Sequence, residues 1–101
     1  MLRRLHAKLR GVKAKNALGG GKIVAFVGTR QADRARAFYR DTLGLKLISE
    51  DNFALAFDVN GTMLRVTLVP HLTPAAFTVL GWQVPDIAGT VRGLQQAGVA
   101  L

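Results

Sequence analysis

The spacing of apolar residues changes along this chain, and each change marks an element. Leu2, Leu5, Leu9 and Val12 recur at three- and four-residue steps with basic residues between them, the stripe of a short amphipathic helix. Gly19-Gly20-Gly21 interrupts that stripe, and residues 23–27 follow as a short apolar run with β-branched members, which predicts a buried strand. The period then becomes helical. Ala32, Ala35, Phe38, Tyr39 and Thr42 share one face, Asp33 sits near the start where the backbone dipole favours an acid, and Gly44 is placed for a left-handed cap.

Residues 45–49 predict a second strand, and the alternation of Phe53, Leu55 and Phe57 with Ala54, Ala56 and Asp58 predicts a third. Asn60-Gly61 marks a two-residue hairpin, because both central positions need a positive φ and this pair tolerates it best. A fourth strand follows at 62–69. Pro70, His71, Thr73 and Pro74 make a connector, and a fifth strand is expected at 77–84. Pro85-Asp86 opens a second helix with Ile87, Val91 and Leu94 on one face, closed by Gly98. The order is β-α-β-β-β, then β-α, and residues 23–44 and 78–98 repeat the same strand, acid-bearing turn, helix and glycine cap. This predicts an α+β fold with a mixed curved sheet and its helices on one face. The chain divides into a basic amphipathic extension with a glycine linker (1–21), a first βαβββ module (22–69), a connector (70–76) and an incomplete second module of strand and helix (77–101). The next strand of that second module would begin at Gly98-Val99-Ala100-Leu101.

The hairpin decides which side chains share a face. A two-residue loop pairs Val59 with Thr62, Phe57 with Leu64, Leu55 with Val66 and Phe53 with Leu68, which makes one apolar face. The same alternation adds Ile23, Ala25, Val27, Leu80, Trp82 and Val84, so this face is expected to receive the helices and to bury Trp82. The opposite face carries Met63, Arg65 and Thr67 beside Asp58, Ala56 and Ala54, with Val24, Phe26, Phe77, Val79, Gly81 and Gln83 from the outer strands. Ala54 and Ala56 are expected to leave space beside the Arg65 guanidinium, a rigid fork of donors suited to a carboxylate or phosphate. Apolar walls with a few directed polar groups describe a small-molecule site. Its expected lining is Phe26, Ala54, Ala56, Met63, Arg65, Thr67, Val79 and Gln83. The competing reading has Arg65 reaching solvent or pairing with Asp58.

Composition narrows the function classes. With 101 residues, half of them hydrophobic and 20% charged, the chain has room for one small core. Its mean hydropathy of +0.22 is far from that of a disordered chain. No uninterrupted apolar run approaches the ~18–20 residues of a membrane-spanning helix. Cysteine is absent, which removes disulfides, thiolate metal sites and thiol nucleophiles. The net charge of +8 is a property of the N-terminus: residues 1–22 hold seven basic side chains and no acid, whereas the rest hold seven basics and six acids. A near-neutral body lacks the positive face that nucleic acid requires. The N-terminal stretch itself reads as an extension with little role, or as a segment for an anionic membrane surface or for targeting.

Other chemistry is sparse. His6 and His71 have no second ligand at metal spacing. Glu50-Asp51 reads as a solvated strand end, since neighbouring strand residues point to opposite faces. Gly19 to Gly21 precedes a strand and so lacks the helix N-terminus of a phosphate loop. No Ser-His-Asp set appears, and no catalytic residue is assigned.

The stretch Ala32-Asp33-Arg34-Ala35-Arg36-Ala37-Phe38-Tyr39-Arg40-Asp41-Thr42-Leu43-Gly44-Leu45 resembles the first helix of the glyoxalase/bleomycin-resistance/extradiol-dioxygenase superfamily, the vicinal oxygen chelate proteins. Gly81-Trp82-Gln83-Val84-Pro85-Asp86-Ile87 and Gly98-Val99 are similar to the opening of that family's second module. The resemblance covers residues 22–101 and implies paired βαβββ modules curled into a cleft, commonly a divalent metal held by cleft-facing strands, and often a homodimer. The ligand positions it implies fall on Val24, Arg65 and Val79, with a fourth beyond Leu101, and none of the three named side chains suits a metal. The expectation is therefore a metal-free member, without a cofactor, that binds or sequesters a small ligand in a dimer cleft, an anion being one class that Arg65 could orient. It would be cytoplasmic, bind no nucleic acid, and be a homodimer in which strand pairing or exchange supplies the missing wall. Two alternatives stay open: a metal-dependent lyase or dioxygenase of the same superfamily with ligands from another chain, and an inactive truncated member.

Overall fold

The computed structural model describes residues 18–100. The amphipathic stripe expected over Leu2 to Val12, and His6 within it, lie outside the described residues. Six elements follow in chain order: β1 (Val24–Thr29), α1 (Ala32–Arg36), β2 (Lys46–Glu50), β3 (Ala54–Val59), β4 (Thr62–Leu68) and α2 (Ile87–Gln96). The four strands form one mixed, curved sheet in the order β1-β4-β3-β2. β1 runs parallel to β4, and the other two pairings are antiparallel.

The β3–β4 hairpin has the register that Asn60-Gly61 requires: Val59 faces Thr62, Phe57 faces Leu64 and Leu55 faces Val66. Asn60 (φ 50°) and Gly61 (φ 90°) both take the left-handed conformation that a tight hairpin needs. The Asp58 carboxylate accepts a hydrogen bond from the Gly61 N–H at 3.0 Å, which closes the turn. Phe57, Leu55, Leu64 and Val66 are fully buried on the face that receives α1, through Ala35. Ala25, Val27, Tyr39, Leu47, Val59 and Leu80 pack around them.

The first helix is wider at its end than the apolar spacing predicts. After α1 the chain continues into a π-helical turn (Ala37–Thr42), with the Leu43 N–H bonded to the Phe38 carbonyl five residues back. The Leu45 N–H reaches the Tyr39 carbonyl, and Gly44 (φ 74°) turns the chain out of the helix. The Tyr39 ring lies between Phe38 (5.1 Å, edge-on) and Phe57 (5.7 Å), and burial raises the pKa of its hydroxyl. Of the expected helix face, Ala35 is buried, Ala32, Tyr39 and Thr42 are half-buried, and Phe38 is exposed.

Strand β2 carries a bulge. Leu47 pairs with Phe57, but Ser49 pairs with Ala56 and Glu50 with Leu55, so the register slips at Ile48. The slip turns Glu50 toward the helix side of the sheet. There the Arg36 guanidinium clasps it, donating from Nε at 2.7 Å and from Nη2, while Arg36 Nη1 reaches Asp33 at 2.9 Å. Hydrogen bonds from Arg36 hold the Glu50 carboxyl below the usual carboxylate range. Asp51 closes the β2–β3 connection by accepting the N–H groups of Phe53 (2.7 Å) and Ala54 (2.9 Å), which lower its pKa in the same direction. Glu50 and Asp51 are thus structural acids pointing different ways.

Two expectations are corrected. Residues 77–84 form no strand: between Val69 and Ile87 the backbone joins no ladder, and Phe77 and Val79 are exposed. Alternating apolar residues select a face, but an extended segment becomes a strand only where another backbone satisfies it. Trp82 is the second correction. Leu80 packs on the core and Trp82 lines a cavity of about 290 Å³ with Ala25, Val59 and Leu64, so both lie on the helix side as the alternation implies. The indole is nevertheless 47% exposed, and among the described residues no helix contributes to the cavity lining. Helix α2 is capped by Asp86, which accepts the Gly89 N–H at 3.1 Å, and it buries none of its residues fully.

Three outcomes follow from this packing. Phe57→Ala should cost about 3–5 kcal/mol in urea denaturation, the range for emptying a fully buried aromatic site; a cost below 1 kcal/mol would mean that the core closes without it. Because Glu50 is depressed in the folded state, its contribution to stability is present above the ordinary carboxylate pKa of about 4.3 and disappears as the pH falls through the lower folded value. The acid limb of a melting-temperature profile should therefore flatten in Glu50→Gln, and a limb parallel to wild type would show that the Arg36 clasp adds nothing. Trp82 emission should be red-shifted and readily quenched by iodide; a blue-shifted, protected signal would place a cover over the indole.

Candidate functional site on the open sheet face

The face of the sheet turned away from α1 is ordered by register into rows. Phe26 on β1 pairs with Arg65 on β4, Arg65 with Ala56 on β3, and Ala56 with Ser49 on β2. Paired residues share a face, so this row runs across all four strands. The next row holds Gly28, Thr67 and Ala54, and the row on the other side holds Val24, Met63, Asp58 and Lys46. Six of the expected lining residues are therefore brought together: Phe26, Ala54, Ala56, Met63, Arg65 and Thr67. Val79 is exposed on the unpaired segment, and Gln83 lines the cavity beside Trp82 on the opposite side of the sheet. The alternation puts both on the open face only through a strand at 77–84, which does not form.

The alanines do not open a hollow. Ala54 and Ala56 are 4% and 5% exposed, so the middle of the face is closed at β3, and it is accessible on either side, at Phe26 on β1 and at Lys46 and Ser49 on β2. Phe26 is 43% exposed, and Arg65 and Thr67 are half-buried. Arg65 makes no ion pair with any described residue. Asp58 is committed to its own turn through Gly61. The positive charge of Arg65 reaches Asp51, where it adds a minor push to the lowering caused by the Phe53 and Ala54 N–H groups. A guanidinium partly withdrawn from water and without an ion pair among the described residues keeps a fork of donors whose geometry matches a carboxylate or phosphate.

Residues missed by sequence reasoning enter through irregularities. Ser49 reaches the open face only because of the bulge at Ile48. Leu72 enters from the connector: a Cβ added to Gly28 would lie 3.0 Å from Leu72 Cδ1 and 3.5 Å from Val69 Cγ2. A glycine inside a strand is the available signal, since it marks a close approach by another group. A metal ion does not fit the positions that the resemblance implies: Val24 and Val79 have no donor atom and Arg65 is itself cationic. Among the described residues no three His, Asp or Glu side chains converge. No helix of the described residues is long and apolar enough to cross a membrane.

Comparison with known proteins agrees with this geometry. No curated protein matches the chain. Its fold is similar to that of a glyoxalase/bleomycin resistance protein/dioxygenase from Alicyclobacillus acidocaldarius, with a TM-score of 0.60 and 19% identity over 77% of this chain and 64% of that one. It is also similar to a protein assigned to the glyoxalase family from Bacillus anthracis, with a TM-score of 0.62 and 18% identity over 91% of this chain and 76% of that one. At such identities the likeness is one of fold, and the chain spans 64% of the length of the first. A family model matches residues 22–101, and with the helix, hairpin and sheet order described above it places the chain in the Glyoxalase/Bleomycin resistance protein/Dioxygenase superfamily.

Proposed function

We propose that this family member binds or sequesters a small molecule with an anionic group on its open sheet face, without a metal ion. The observation that carries the reading is Arg65, half-buried in a row with Phe26 and Ala56 and free of ion pairs among the described residues. A cation fixed at a position where the family resemblance implies a metal ligand can orient a carboxylate or phosphate directly. Phe26 supplies an apolar wall, and Thr67 offers a hydroxyl one step along the same strand. We place the protein in the cytoplasm and as a homodimer whose second copy completes the cleft.

Titration of the purified chain with benzoate and with inorganic phosphate, followed by amide chemical shifts, tests the reading. Arg65→Ala should weaken binding roughly tenfold to a hundredfold, the effect of removing a charge-assisted contact worth about 1.5–3 kcal/mol. The melting temperature should move little, because a strand arginine without an ion pair adds little to folding. Arg65→Lys should recover part of the loss, since the ammonium keeps the charge and loses the fork. Exhaustive chelation should leave wild-type binding unchanged. Unchanged binding by Arg65→Ala, or binding that vanishes on chelation, would overturn the assignment.

A further inference from the structure

The connector after β4 folds back over the open face and limits it. Its first residue is tied to the end of β1, the Val69 N–H donating to the Thr29 carbonyl at 2.9 Å. Pro70 and Pro74 restrict the path that follows. Leu72 then comes down on Gly28 so closely that an added methyl there would be 3.0 Å from its Cδ1. Gly28 shares a row with Thr67, so Leu72 lies over the row next to Arg65 on the accessible side of the face. Leu72 remains 50% exposed, so it is a wall that a ligand can touch and not a core residue. Two residues of strand separate its row from that of Arg65, about 7 Å.

We propose that Leu72 is the specificity-determining residue of this site, and that it restricts the ligand to a compact anion whose apolar body is no longer than one ring. The inference rests on the reading of Arg65 as the anion anchor. A carboxylate held by the Arg65 fork with its apolar end along β4 toward Thr67 has Phe26 beside its near end and Leu72, seated over Gly28 on the neighbouring strand, beside its far end. A single ring fills that interval, whereas a fused or extended ring system meets the Leu72 side chain. Gly28 sustains the arrangement, because any side chain there would occupy the space that Leu72 takes.

The test compares acetate, benzoate, 2-naphthoate and biphenyl-4-carboxylate against wild type, Leu72→Ala, Leu72→Trp and Arg65→Ala by amide chemical-shift titration. Wild type should bind benzoate at least tenfold more tightly than either larger acid. Leu72→Ala should raise 2-naphthoate affinity about tenfold while changing benzoate by less than threefold. Leu72→Trp should weaken benzoate about tenfold and leave acetate unchanged. Arg65→Ala should weaken every acid in the series. If the Leu72 variants leave the order of preference unchanged while Arg65→Ala still weakens all the acids, the gate assigned to Leu72 is wrong and the anion site stands. If Arg65→Ala changes none of them, or wild type binds none, the anion site falls and the inference falls with it.

Discussion

The register of the β3–β4 hairpin governs everything else in this molecule. Side chains alternate across a strand, so a slip of one residue by β4 against β3 would send Leu64 and Val66 to the open face and Arg65 to the core side, leaving Phe57 and Leu55 without their partners. Two residues prevent it. Asn60 and Gly61 accept positive φ at low cost, and the Asp58 carboxylate holds the Gly61 N–H. Because β1 docks on β4, the same turn fixes which of its side chains accompany the core and which stand beside Arg65. The apolar face and the charged face are two consequences of one turn.

The bulge in β2 shows how the sheet treats its two surfaces differently. Regular alternation would leave Glu50 on the same side as Arg65, where opposite charges could meet and the guanidinium would be neutralised. The extra residue at Ile48 moves Glu50 behind the sheet, into the clasp of Arg36, and brings the uncharged Ser49 forward. Asp51 is occupied by backbone N–H groups and Asp58 by its turn. The acids nearest the open face are each engaged elsewhere, which leaves Arg65 without an ion pair among the described residues.

Much of this was legible in the sequence for a definite reason. The hairpin, the core pairs and the helix around Ala35 and Tyr39 rest on local rules, since a period, a turn pair and a glycine cap are contained within a few neighbouring residues. The shared face of the candidate site was legible as far as it depends on those rules, which is why Phe26, Arg65, Thr67 and the two alanines fall on one side of the sheet. What was missed depends on distant partners. Residues 77–84 have the alternation of a strand, and alternation cannot report whether a backbone lies alongside. The burial of Trp82 required a covering element that the pattern around it does not contain. The π turn, the bulge and the descent of Leu72 onto Gly28 are each settled by contacts across the fold, with only the strand glycine as a local hint.

The parallel pairing of β1 with β4 has a consequence during synthesis. Val24 pairs with Met63, 39 positions later in the chain, whereas β3 meets β4 across two residues. At a synthesis rate of about 5–20 residues per second, β1 waits roughly 2–8 s for its partner, with its apolar side chains uncovered. The hairpin can close as soon as β4 emerges, and β1 can join only a sheet edge that the hairpin has already made. The first strand to be translated is the last able to take its place, and until it does the row from Phe26 to Ser49 is interrupted.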